Sequence, residues 1–246
     1  MLILFYQTII FLLGASIASF FNAWAMRIIS EKETILDPSR CRFCNKALKW
    51  YQLIPIISWI LQHGKCGCQQ KKVISLQYLF TEISLGLVFV ILFASNELSF
   101  QLILYLIFAS ILFFLFVTDI MHQLLHLPSI ICGIILGLTN GVWAENLIEM
   151  FIGGMVGFLV IYLINIAFRF FKNKDGFGSG DKYLLAMFGT WLGPIYVLQA
   201  LVLASWIGVL FALFYKLKKA KFPTMLPFAP LVSSAYIFLL VLFNIS

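Results

Sequence analysis

Apolar residues in this chain run nearly unbroken for about twenty positions at a time. That is the length a helix needs to cross about 30 Å of hydrocarbon. Such runs fall at 2–26, 76–95, 100–117, 127–143, 148–171, 183–198, 199–215 and 225–243, with short polar breaks between most of them. Gly193-Pro194 marks the turn between the sixth and seventh runs, because proline ends a regular helix and glycine permits a sharp one. The first run has neither a basic start nor a small-residue cleavage site, so it reads as a retained span and not a removed signal. The pattern predicts an all-α polytopic membrane protein with about eight transmembrane helices.

Composition agrees. Of 246 residues, 62% are hydrophobic and only 11% charged, with mean hydropathy +1.01; soluble domains carry about 25% charged residues. A soluble enzyme with one anchor, a disordered tail and a nucleic-acid binder are all excluded. The net charge of +7 is then a matter of placement. All 17 basic residues lie in three stretches, from Arg27 to Lys72, from Arg169 to Lys182, and from Lys216 to Lys221. With eight spans these stretches share one side, while Glu97, Glu145 and Glu149 occupy the other. The positive-inside rule makes the basic side cytoplasmic and puts both termini outside. The lipid bilayer is the first partner implied.

One long stretch, 27–75, is a cytosolic loop and not a span. Its apolar segment 51–61 (YQLIPIISWIL) is too short to cross the bilayer and carries Pro55 at its centre, which predicts a buried or interfacial element. The loop holds Cys41, Cys44, Cys66 and Cys68 as a CxxC and a CxC pair. A reducing cytosol disfavours disulfides, and four thiolates suit tetrahedral zinc, which would stabilise a module with little core of its own. Four free thiols in a tethered loop are the alternative. Cys132, in the fourth run, reads as a small apolar core residue.

Only ten acids are present, and two of them stand at span ends on the basic side. Asp119 closes the third span and Asp181 opens the sixth. Ionisable groups at membrane depth are functional candidates. Two carboxylates brought together can share a proton, activate water and protonate a leaving amine. The competing reading is that both cap helix ends. That suits Asp181 at a helix N-terminus, but not Asp119 at a C-terminus, where the helix dipole disfavours an anion. The segment Gly178-Ser179-Gly180 precedes Asp181, and its glycines predict a turn that lets an extended peptide approach the carboxylate.

These residues carry a family resemblance. Gly178–Asp181 (GSGD) followed by YLLAMFGTWLG resembles the GxGD signature of type IV prepilin peptidases, bacterial polytopic aspartic peptidases. TDIMHQLLHLP around Asp119 resembles their first aspartate motif, and GASIASFFNAWAMR their opening Ser-Phe-x-Asn motif. The stretch from Cys41 to Cys68, running on to YLFTE, resembles their cysteine-bearing module. The motifs occur in the family's order. Departures are His126-Leu127 in place of Pro then Asp or Asn, Met121 where a second acid often stands, Tyr183 where the family has lysine, and the shortened second cysteine pair.

The resemblance implies cleavage of the leader of a prepilin or pseudopilin at the cytoplasmic face of the bacterial cytoplasmic membrane. Asp119 and Asp181 would be catalytic and Gly178, Ser179 and Gly180 would form the active-site loop. It implies a first helix over 1–26, the cysteine-bearing loop over 27–75 and a seven-helix peptidase core over 76–246. It also implies N-methylation of the new amino terminus with S-adenosylmethionine, to which Asn22 and Glu82 would contribute. Two other classes compete: a proton-coupled transporter using the two acids as a relay, and a structural partner of a secretion or DNA-uptake machine. Transporter sites lie nearer mid-membrane than these acids do.

Overall fold

The computed structural model describes residues 2–28, 39–41, 47–65, 75–96, 98–174, 176–218 and 227–243. The described residues are almost all helical: α1 (Leu2–Arg27), α2 (Ile57–Leu61), α3 (Leu76–Ser95), α4 (Phe100–His122), α5 (Leu127–Trp143), α6 (Leu147–Lys172), α7 (Asp181–Leu217) and α8 (Phe228–Phe243), with a 3₁₀ turn at Trp50–Leu53. Helices answer the membrane's demand that every backbone polar group be bonded within its own segment. Among the described residues, α1, α3, α4, α6 and α7 are long and apolar enough to cross a membrane, and α5 is a shorter apolar helix. Each expected apolar run is helical where it is described, and the chain is polytopic and all-α.

The chain divides into two compact units, Met1–Val117 and Thr118–Ser246. In the first, α1 lies against α3 through glycines. A Cβ on Gly14 would sit 2.9 Å from the Leu85 carbonyl oxygen, and one on Gly86 would sit 2.7 Å from the Phe11 ring. Small residues allow such close crossings where lipid offers no hydrophobic drive to associate. Trp24 of α1 stacks on Phe114 of α4 at 4.4 Å between ring centroids. The apolar stretch 51–61 forms the 3₁₀ turn and α2, broken at Pro55 as the sequence predicts, with no buried residue in either element.

In the second unit α6 and α7 cross on a seam of small residues. A Cβ on Gly153 would run into the Gly189 carbonyl, and one on Gly157 into that of Leu185. Trp191 donates its Nε1–H to the Gly133 carbonyl at 3.0 Å, joining α5 to α7, and Phe188 packs on Tyr236 of α8 at 5.4 Å. The 37 residues of α7 would make a rod of about 55 Å, well beyond one hydrocarbon thickness. Gly193, at φ 78° and ψ 176° and followed by Pro194, breaks it into 181–192 and 194–217. The break stands at the Gly193-Pro194 pair that the sequence offers as the turn, five residues before the expected end of the sixth run. Cys132 is a correction: it is exposed, because the buried face of α5 runs through Ile130, Gly133, Gly137 and Asn140 and turns position 132 outward.

Candidate active site

Both candidate aspartates belong to the second unit. Asp119 sits in the last turn of α4 and is buried, with 6% exposure. Its Oδ2 accepts the Ala229 backbone N–H at 2.8 Å, and the Phe228 N–H also hydrogen-bonds to it. The reason lies in the local sequence of α8. Pro227 and Pro230 flank Phe228-Ala229, and proline has no N–H, so the first turn of α8 offers only those two unsatisfied donors. Pro227 cannot cap them with a side chain. Asp119 does so from another helix. The expected conflict between Asp119 and the dipole of its own helix is therefore met by the positive end of α8.

Asp181 is the first residue of α7, with Gly180 as the preceding cap. Its Oδ2 accepts the Gly178 N–H at 2.8 Å, and its own N–H is donated back to the Gly178 carbonyl at 3.2 Å. The carboxyl of Asp119 is close enough to act electrostatically on Asp181. Among the described glycines only Gly64 and Gly193 have positive φ, so Gly178 and Gly180 do not serve by unusual backbone angles. They serve by leaving room. A Cβ at Gly178 would lie 3.3 Å from Asp181 Oδ2, and one at Gly180 would lie 3.1 Å from Leu125 Cδ1. Ser179 is exposed at the tip of the turn.

A further residue holds this loop. Asn165, buried in α6 at 9% exposure, accepts the N–H of Phe177 at 2.8 Å and of Gly176 at 3.2 Å, and donates to the Phe177 carbonyl at 3.2 Å. The Phe177 ring packs edge-on against Phe228 at 5.2 Å, so the loop bearing Asp181 meets the helix end that binds Asp119. Sequence reading passed over Asn165. Its signal was an amide standing alone in the apolar stretch LVIYLINIAF, a group that must find partners inside the protein. Next to Asp119, the α4–α5 connection carries His126, whose Nδ1 is 2.8 Å from Ser129 Oγ; burial holds its imidazole below the ordinary 6.5.

This arrangement falls inside a stretch with known relatives. A family model described as Type IV leader peptidase family matches residues 106–213, and one described as Bacterial Peptidase A24 N-terminal domain matches residues 12–96. A protein of Stutzerimonas stutzeri named prepilin leader peptidase/N-methyltransferase is 32% identical over 81% of this chain and 70% of its own length. The chain belongs to the type IV leader peptidase family. A Myxococcus xanthus protein of the same name is 31% identical over 82% of this chain, which spans 61% of that relative's length. One from Vibrio cholerae is 30% identical over 81% of this chain and 79% of its own. No solved structure matches the chain.

The family's N-terminal model covers the cysteine-bearing stretch. Of its four cysteines, Cys41 is described and buried; Cys44, Cys66 and Cys68 lie outside the described residues. Beside Cys41, Arg40 and Ala47 form an antiparallel bridge, and Leu48 donates its N–H to the Ser39 carbonyl at 2.8 Å. Among the described residues no group of three histidines, cysteines and acids stands together.

Asn22 and Glu82 are brought close in the first unit, both buried. Asn22 Nδ2 donates to Thr81 Oγ1 at 2.8 Å, and Glu82 Oε2 accepts the Ile56 N–H at 2.7 Å, with Ser19 as a further partner. Glu82 lies six residues inside α3, well past its start, and ties the segment between the cysteine pairs to that helix.

Proposed function

We propose that this chain is an aspartic endopeptidase that removes the leader peptide of type IV prepilins or pseudopilins. The observation that carries this is that Asp119 and Asp181, from α4 and α7, stand near enough to act on each other electrostatically within the stretch the leader peptidase family matches. In the reaction, one carboxylate takes a proton from water as its oxygen attacks the scissile carbonyl carbon. The other, protonated, hydrogen-bonds to the carbonyl oxygen. Collapse of the tetrahedral intermediate breaks the C–N bond, and the departing nitrogen receives a proton from the dyad. The α8 amides hold Asp119 in place, and the Gly178 N–H holds Asp181.

The basic stretches support a site at the cytoplasmic face of a bacterial cytoplasmic membrane. A prepilin with a short leader before a hydrophobic helix could reach it there. The glycine loop, with Ser179 at its tip, is the surface an extended leader would lie along. The deciding experiment is co-expression with candidate prepilins, reading leader loss on a gel. Wild type should process the substrate and Asp119→Asn and Asp181→Asn should not. Full processing by either variant sinks the aspartic mechanism.

The relatives' names also carry an N-methyltransferase, and this supports a second activity on the new amino terminus. S-adenosylmethionine would supply the methyl group when bound. The described polar residues of the first unit fit a supporting role in that activity. Asn22 and Glu82 bond to Thr81 and Ile56 and so shape the module. Zinc on Cys41, Cys44, Cys66 and Cys68 would close it, a reading supported by the buried Cys41 and the antiparallel bridge beside it. The mass of the processed substrate's N-terminus tests methylation, and the metal content of purified protein with and without Cys41→Ser tests zinc.

A further inference from the structure

Three successive backbone N–H groups lead from α6 toward Asp181, and each has a defined acceptor. Those of Gly176 and Phe177 both go to Asn165 Oδ1, at 3.2 and 2.8 Å, and that of Gly178 goes to Asp181 Oδ2 at 2.8 Å. Asn165 also returns a hydrogen bond from Nδ2 to the Phe177 carbonyl at 3.2 Å. It thus grips both sides of one residue, as a neighbouring strand would. This grip needs a donor and an acceptor on adjacent atoms of a short side chain. Asparagine has both; aspartate keeps only the acceptors and leucine keeps neither.

What is gripped matters to both carboxylates. Immediately after Phe177 comes Gly178, the donor to Asp181. The ring of Phe177 rests on Phe228 at 5.2 Å, and the next residue, Ala229, donates to Asp119 at 2.8 Å. One side chain in α6 is therefore linked through Phe177 to both aspartates, by way of Gly178 to Asp181 and by way of the Phe228-Ala229 turn to Asp119. We infer that Asn165 is the positioning residue of the peptidase, setting the separation of Asp119 and Asp181 through the Gly176–Gly178 backbone. The inference rests on the proposed peptidase activity for its kinetic consequence, but not for the loop geometry itself. A change of spacing on the order of 1 Å costs a catalytic arrangement about 100-fold in rate.

The experiment uses the full chain in membranes or detergent, with Asn165→Leu, Asn165→Asp and wild type, and two readouts. The first is kcat and KM for leader removal, per folded enzyme. Leucine should lower kcat by about 30- to 100-fold with KM within about 3-fold, and aspartate, which keeps two of three hydrogen bonds, should recover part of the loss. The second is the rate at which a water-soluble maleimide labels the thiol of an added Ser179→Cys substitution, Ser179 being exposed on the loop. Leucine at 165 should change that rate at least about 3-fold, because it releases the two N–H groups that hold the turn. Wild-type kcat in Asn165→Leu, or a loss that only tracks the amount of folded protein, overturns the inference. If wild type cleaves no prepilin, the peptidase reading fails by itself. The labelling rate then still decides the loop's dependence on Asn165, and equal rates overturn it.

Discussion

Asp119 has one role in the structure and one in the proposed mechanism, and a pair of substitutions separates them. It caps α8, and in the proposal it supplies one of the two catalytic carboxylates. Asparagine keeps an oxygen where Oδ2 stands, so the Phe228 and Ala229 amides retain an acceptor, while the acid–base chemistry is lost. Leucine removes both. Two buried donors left without partners cost about 1–3 kcal/mol each, or about 2–6 kcal/mol together. In Asp119→Asn the hydrogen bonds weaken by losing a charged acceptor, but a buried charge is also removed, and these opposing effects leave stability within about 1–2 kcal/mol of wild type. Rate should fall alike in both, by at least the 10²- to 10⁴-fold that acid–base catalysis typically contributes. The assay follows leader removal and thermal unfolding in the same detergent. Leader removal by Asp119→Asn within about 10-fold of wild type would refute the catalytic assignment. Equal melting of the asparagine and leucine variants would refute the cap.

Three further outcomes follow from the packing. Gly153→Ala should destabilise by about 1–3 kcal/mol, since its Cβ would meet the backbone of Gly189 and, at 2.7 Å, that of Gly193. Gly208→Ala, whose Cβ would meet, among the described residues, only Leu231 Cδ1 at 3.6 Å, should melt no lower than wild type, and a Gly153→Ala that also does so would contradict the crossing. Glu82→Ala should speed proteolytic nicking within 47–65 relative to Glu82→Gln, because only glutamine can still accept the Ile56 N–H; equal nicking would show that this bond does not hold the segment.

His126 gives a pH signature. Its folded imidazole titrates below the ordinary 6.5 because it is partly buried, so in acid the unfolded chain takes up the proton first. Stability is therefore intact above 6.5 and declines as pH falls below it, towards the folded value. His126→Gln should show a smaller drop in melting temperature between pH 7 and pH 5, and an unchanged drop would assign the acid sensitivity to other groups.

Much of this protein was legible from local pattern. Unbroken apolar runs can only be spans or core, and the scarcity of charge made them spans. The same scarcity singled out Asp119 and Asp181. The break at Gly193 could be read because a glycine–proline pair acts on its own backbone. Even the departure at Pro55 followed from one residue's missing N–H.

The tertiary structure decided what those residues meet. Asp119 looked misplaced at a helix C-terminus until α8, 110 residues away, supplied its donors. Gly178 and Gly180 were expected to let a peptide approach the carboxylate, and only the packing shows what stands beside them, Asp181 and Leu125. Cys132 looked like core, but which face of an apolar helix turns inward depends on its neighbours when both faces are greasy. Asn165 was visible as an isolated amide, yet nothing near it in sequence said that it would hold the loop before Asp181. In a membrane a buried polar group left without a partner is costly. The chain's own sequence shows which groups need one, and only the packing of its helices settles which partner each obtains.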